Sequence, residues 1–232
     1  MHKYLSFLIL GLSLLLVSSF AASADTENIE APRDIAQRVQ TKIDTIESLS
    51  FKFFQQTRGE MTGRPRKGSG NALFYKKNGK SLMRWNYNSP DKQVLVSDGE
   101  IFSMYFSSQN QMIITSAKNL DSDLTYSFFT GKSKLETNFH VLAKDEEFDD
   151  DIQGFEIIKL IPKAPHSQVQ DIHIWITETS LIRRMHIRDH FGTITVLNLS
   201  DIAVNDLAGA DKKTVQALFS FTPPEGTELI EQ

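Results

Sequence analysis

The chain has 232 residues, with 25 Lys and Arg against 29 Asp and Glu, a formal net charge of −4, and no cysteine. Disulfides, thiolate metal sites and a cysteine nucleophile are therefore excluded, and the mildly acidic balance gives no basic footprint for nucleic acid. The length suits one domain with a sizeable core.

The chain opens with His2 and Lys3, continues as an apolar run over 4–20, and closes that run with Ala21-Ala22-Ser23-Ala24 before Asp25. A basic start, an apolar middle and small residues at the end define a secretory signal peptide, with cleavage expected after Ala24. An uncleaved membrane anchor is the competing reading, because the run is nearly long enough to span a bilayer. Residues 1–24 are thus read as leader and 25–232 as the working domain. Loss of the leader removes Lys3 as its one charged side chain, leaving 24 basic against 29 acidic residues, a net −5. Without cysteine, the lipid-modified cysteine of a bacterial lipoprotein is also excluded, so the expected location is the soluble periplasm.

Residues 25–31 form a short lead. Pro32 suits the first turn of a helix, and Ile35, Val39, Ile43, Ile46 and Leu49 follow at steps of three and four, an amphipathic stripe that must lie on something. From Ser50 the pattern becomes β-compatible: Phe51, Phe53 and Phe54 begin a first strand, and 61–70, with four glycines and prolines, reads as a long turn. Strands follow at 72–76 and 82–87, joined by Asn78-Gly79. Further strands at 93–96 and 101–106 are joined by Asp98-Gly99, the dipeptide that a type I′ hairpin turn favours. Another strand covers 111–116. Leu124 and Phe128 recur at a helical step, giving a short helix and then an irregular segment around Gly131. Strands are expected at 139–143, 155–161, 171–177, 181–188, 193–204 and 217–222, with the acidic run 145–151 as a solvated turn. Such spacing indicates a mainly β domain built as a sandwich, a barrel or a curled sheet.

Catalytic and metal motifs fail on inspection. His186 and His190 sit four apart, which shares a face only in a helix, whereas the pattern here is strand then turn. Gly131-Lys132-Ser133 lacks the glycine five residues earlier that a phosphate-binding loop requires; that position is Tyr126. No Gly-X-Ser-X-Gly elbow occurs, and the acidic run lacks calcium-loop spacing. No enzyme activity, cofactor or metal is expected.

What remains is a surplus of aromatic surface. Alternation puts Met83, Trp85 and Tyr87 on one side of their strand and Ile101, Ser103 and Tyr105 on one side of theirs. Ordinary core and a lipid-sized cavity both account for this, and alternation does not say which face is concave.

The ordered motifs Phe54-Gln55-Gln56-Thr57, Met83-Arg84-Trp85-Asn86-Tyr87, Gln93-Val94-Leu95-Val96-Ser97-Asp98-Gly99, Leu160-Ile161-Pro162-Lys163 and Phe219-Ser220-Phe221-Thr222-Pro223-Pro224-Glu225-Gly226 give the chain its likeness. It resembles the outer-membrane lipoprotein carrier family LolA over nearly all of 25–232. The resemblance implies a single curved antiparallel sheet, an incomplete β-barrel whose concave apolar face is covered by a helical lid. It implies a monomeric periplasmic carrier that shields the acyl chains of lipoproteins between an inner-membrane lipoprotein-releasing transporter and an outer-membrane receptor. A lipid- or glycolipid-binding protein on the same fold, or a sensory protein-interaction module, are the alternatives. Candidate cavity residues are Phe54, Phe74, Met83, Trp85, Tyr87, Tyr105 and Trp175, and candidate lid residues are Ile35, Val39, Ile43, Ile46, Leu124 and Phe128. The family's lid-holding basic residue after the second strand is matched in position by Lys77, with Lys80 and Arg84 as rivals.

Overall fold

In the computed structural model, the residues described are 31–59, 64–77, 79–122, 124–151, 154–164 and 169–232, so the expected leader lies outside them. Helix α1 (Pro32–Thr45) leads into strands β1 (Ser48–Arg58), β2 (Arg66–Lys77), β3 (Lys80–Ser89), β4 (Gln93–Ser97), β5 (Ile101–Phe106) and β6 (Gln111–Ser116). A 3₁₀ turn (Ala117–Ser122) and the short helices α2 (Leu124–Thr130) and α3 (Leu135–Asn138) follow. Then come β7 (Phe139–Ala143), a second 3₁₀ turn (Glu146–Asp151), β8 (Glu156–Pro162), β9 (Asp171–Ile176), β10 (Ile182–Arg188), β11 (Ile194–Val204), α4 (Lys212–Leu218) and β12 (Glu228–Glu231).

All the strands join one sheet in the order β12-β6-β5-β4-β3-β2-β1-β11-β10-β9-β8-β7. Most neighbours are consecutive hairpin partners, which is what turn-punctuated short strands build most easily. The sheet does not close: β7 and β12 end the order, and no pairing joins them among the described residues. It is mixed rather than wholly antiparallel, because β12 returns from the far side and pairs parallel with β6.

Alternation gives the sheet two different faces. Phe51, Ala72, Trp85, Leu95 and Met104 stand opposite one another across β1 to β5, so they form one continuous row. That row and its neighbours Phe53, Phe74, Met83, Leu197 and Leu199 belong to the main core, together with α1 and α2. Small residues make space for the rings. At Gly70 an added Cβ would lie 1.8 Å from the Asn86 carbonyl oxygen, so no side chain fits where β2 passes β3.

The other face carries separate small clusters under the chain's returning segments. Phe219 lies against Tyr75 at 6.3 Å between ring centres, and Phe221 against Tyr105 at 5.2 Å. The strand expected at 217–222 is therefore corrected to the end of α4 followed by extended chain without a ladder partner. Asp211 starts that helix by accepting from the Thr214 backbone N–H at 2.8 Å, an N-cap that alternation over Ala217, Phe219 and Phe221 concealed. The acidic run 145–151 is also more than a solvated turn. It brings Phe148 down onto Trp175 and two buried imidazoles, His173 and His186.

Candidate functional site

On the inner face, side chains of β1 to β5, β10 and β11 leave a hollow of about 400 Å³ beneath the 3₁₀ turn and α2. Its lining includes Phe74, Met83, Trp85, Tyr87, Leu95 and Met104, with Leu120 and Tyr126 above. Gln55, Asn119, Thr125 and Thr195 add polar groups around this aromatic and aliphatic floor, and a volume of this order suits a small ligand with an apolar body. The Tyr87 hydroxyl donates to Gln55 Oε1 at 2.9 Å and Asn119 Nδ2 donates to Thr115 Oγ1 at 2.7 Å, whereas the buried Trp85 indole N–H meets no acceptor among the described residues. A ligand carbonyl could take that donor.

Next to the hollow, a second seam runs under the last turn of α1, between Ile43 and Ile46 above and Leu49 and Phe51 below. Its free volume is only about 20 Å³, room for roughly one water, so α1 lies shut on the sheet. Phe51, Phe74 and Phe129 divide the two spaces, with Phe129 4.9 Å from Phe51 and 5.3 Å from Phe74 between ring centres. Displacing Phe129 together with α1 would join seam and hollow into one apolar groove.

Polar contacts hold α1 in place at several points along it. Lys76, on β2, donates its ammonium to the Ile43 carbonyl in the last turn of α1 at 2.6 Å, and the same carbonyl also accepts from the Ile46 backbone N–H at 3.3 Å. Burial pulls the Lys76 ammonium below its ordinary value, against the opposing pull of Asp44. Lys134 pairs with Asp44 at 2.8 Å, Gln40 Oε1 accepts from the Leu135 backbone N–H at 2.9 Å, and Arg38 pairs with Glu156 at 2.6 Å. Gly131 completes this corner. It takes φ +70° after α2, and an added Cβ there would lie 3.2 Å from Ile43 Cγ2. Its role is thus a left-handed helix stop pressed against α1.

The structure divides the residues that the sequence grouped. Phe74, Met83, Trp85 and Tyr87 line the hollow. Phe54, Tyr105 and Trp175 do not: Phe54 and Trp175 border an outer groove, and Tyr105 packs with Val94 and Met112 beneath Phe221. Each lies one residue out of phase with an inward neighbour, and one step along a strand reverses the face. Ile35, Val39 and Ile46 are buried beneath α1's path, Ile43 packs against the same core, and Phe128 lies under α2 against Phe139. The side chain of Leu124 lies outside the described residues, as does that of Lys77. Lys80 pairs with Glu100 at the exposed surface, and Arg84 reaches the Leu218 and Ser220 carbonyls on the outer face, so neither touches α1. Lys76 and Gly131, which meet the last turn of α1, and Phe129, which lines the seam below it, were not singled out from the sequence for these places.

A single open sheet with an aromatic hollow under short helices defines the structural class. The family model described as outer membrane lipoprotein carrier protein LolA matches residues 44–222. The chain belongs to that family. Similar proteins include the outer-membrane lipoprotein carrier protein of Cupriavidus necator, 30% identical over 225 residues covering 94% of this chain and 98% of that one. The carrier protein of Nitrosomonas europaea is 30% identical over 166 residues, covering 71% and 73%. Among solved structures, an uncharacterized conserved protein from Thermus thermophilus shares the fold at a TM-score of 0.50 and 12% identity, covering 86% of this chain and 98% of that one.

Proposed function

We propose that this protein binds the acyl chains of lipoproteins in the hollow and in the seam beneath α1, and carries them through the periplasm from the inner to the outer membrane. The observation that carries the reading is an aromatic hollow beneath the 3₁₀ turn and α2, adjoining a seam that α1 covers while polar contacts hold that helix down. Burial of each methylene contributes about 0.8 kcal/mol, so a long acyl chain has ample driving force to enter. Opening α1 costs the contacts of Lys76, Lys134 and Arg38, and that cost offsets part of the gain. Cargo can then be held without being trapped. Lys76 is the lid-holding basic residue in this account, with its charge on a carbonyl of the last turn of α1.

The test uses the chain from Asp25 onward, added to spheroplasts that are synthesising a labelled lipoprotein. Appearance of the acylated lipoprotein in the soluble fraction, bound to the added chain, is the expected result. Retention of the lipoprotein on the membrane at every concentration of added chain would refute the transfer role.

A further inference from the structure

Phe191 is 81% exposed, the highest value among the exposed large hydrophobic side chains described. It sits at the tip of the β10–β11 hairpin, and the turn is fixed from below: Asp189 Oδ1 accepts from the backbone N–H groups of Phe191 at 2.8 Å and Thr193 at 2.7 Å. The ring is thus held in solvent by a formed turn. A single exposed apolar residue is ordinary on a soluble protein. Its surroundings distinguish this one.

The β1–β2 and β3–β4 turns emerge at the same end of the sheet. They bring exposed Arg58, Arg64, Arg66, Lys67 and Lys92 to that end, in a chain whose overall charge is negative. Arg58 stands opposite Ile194 in the strand next to β11, and Arg66 stands opposite Thr57 one strand further out. Acids share this end in smaller number: Asp91 is exposed between β3 and β4, Glu147 pairs with Arg188 at 2.8 Å, Glu228 accepts from the Gln111 side chain beside the β5–β6 turn, and Asp189 is engaged with the backbone. Glu60 is in the β1–β2 turn of the sequence but outside the described residues. The hollow reaches this same end, where Ile187, Thr195, Tyr87 and Gln55 line it within a few residues of the turns.

We infer that this rim is a docking surface for an anionic phospholipid bilayer, with Phe191 entering the interface and the neighbouring Arg and Lys side chains meeting lipid phosphates. An aromatic ring beside cations is suited to the headgroup region, where the ring leaves water and the charges gain from the surface potential. Docked this way, the hollow would face the membrane from which an acyl chain leaves or into which it returns. The surface is independent of whether cargo is bound, so its test needs no lipoprotein.

The experiment is co-sedimentation of the cargo-free chain from Asp25 onward, without the apolar leader, with phosphatidylcholine vesicles with and without phosphatidylglycerol. Binding to the anionic vesicles alone, weakened by salt, is expected. The pair Arg66→Gln and Lys67→Gln should weaken it by about 25-fold, at about fivefold per charge near the surface. Phe191→Ser should weaken it by about tenfold or more, the range for keeping a Phe side chain in water. Both variants should keep the wild-type circular dichroism and melting curve. Equal binding to both vesicle types, no binding to either, or full binding by the folded variants would each overturn the proposal. None of these outcomes bears on capture of lipoproteins in the hollow.

Discussion

Lys76→Met tests the latch on α1 most sharply. The substitution keeps a long apolar stem and removes the ammonium that donates to the Ile43 carbonyl at 2.6 Å. A hydrogen bond from a charged donor is worth about 1.5–3 kcal/mol, and the lower end applies to a partly buried one. At about 1.5 kcal/mol, the equilibrium for lifting α1 should shift by about tenfold toward open. Amide hydrogen exchange reads this directly, because local opening of α1 is separable from global unfolding. Protection over 35–45 should fall about tenfold, with protection in β1, β10 and β11 unchanged. Lys76→Arg should restore most of it, since guanidinium also donates to a carbonyl. Unchanged protection in α1, or an equal fall throughout the sheet, would refute the latch.

Leu95→Glu and Met104→Glu, both placing a carboxylate in the hollow, are expected to lower acyl-cargo affinity by more than tenfold, whereas Phe54→Ser at the exposed outer groove leaves it unchanged; a fluorescent fatty-acid displacement titration separates them. Gly131→Ala should destabilise by about 1–2 kcal/mol in urea titration, because the residue takes a left-handed conformation and its new methyl presses on Ile43. Burial pulls the imidazoles of His173 and His186 below the ordinary 6.5. As pH falls below that value the unfolded chain takes up protons that the folded chain refuses. Stability should therefore be full above about pH 6.5 and decline below it toward the folded values, at up to about 1.4 kcal/mol per pH unit for each histidine. His186→Gln should flatten that slope, and an identical slope in wild type and variant would count against the assignment.

Strand and turn order was legible because Asn-Gly, Asp-Gly and proline punctuate short alternating runs, and the α1 stripe at Ile35, Val39, Ile43 and Ile46 announced a helix lying on a sheet. The face of each strand was not legible, and most misplacements follow from that one unknown. Once Phe74 is inward, Lys76 shares its face two residues on. A single step moves Phe54, Tyr105 and Arg84 away from Phe53, Met104 and Trp85. Alternation fixes relative direction only; the absolute direction came from α1 and α2 covering one face. The C-terminal reading failed for a different reason. Ala217, Phe219 and Phe221 alternate as a strand would, but Asp211 caps a short helix, and the aromatic residues after it cover the outer face.

Binding of the purified chain to one lipoprotein in acylated and unacylated forms shows whether the acyl chains are what the protein holds. A soluble one-to-one complex with the acylated form, lost on removing the acyl chains and weakened by Leu95→Glu, is the result expected. Equal binding of both forms, indifferent to Leu95→Glu, would contradict it.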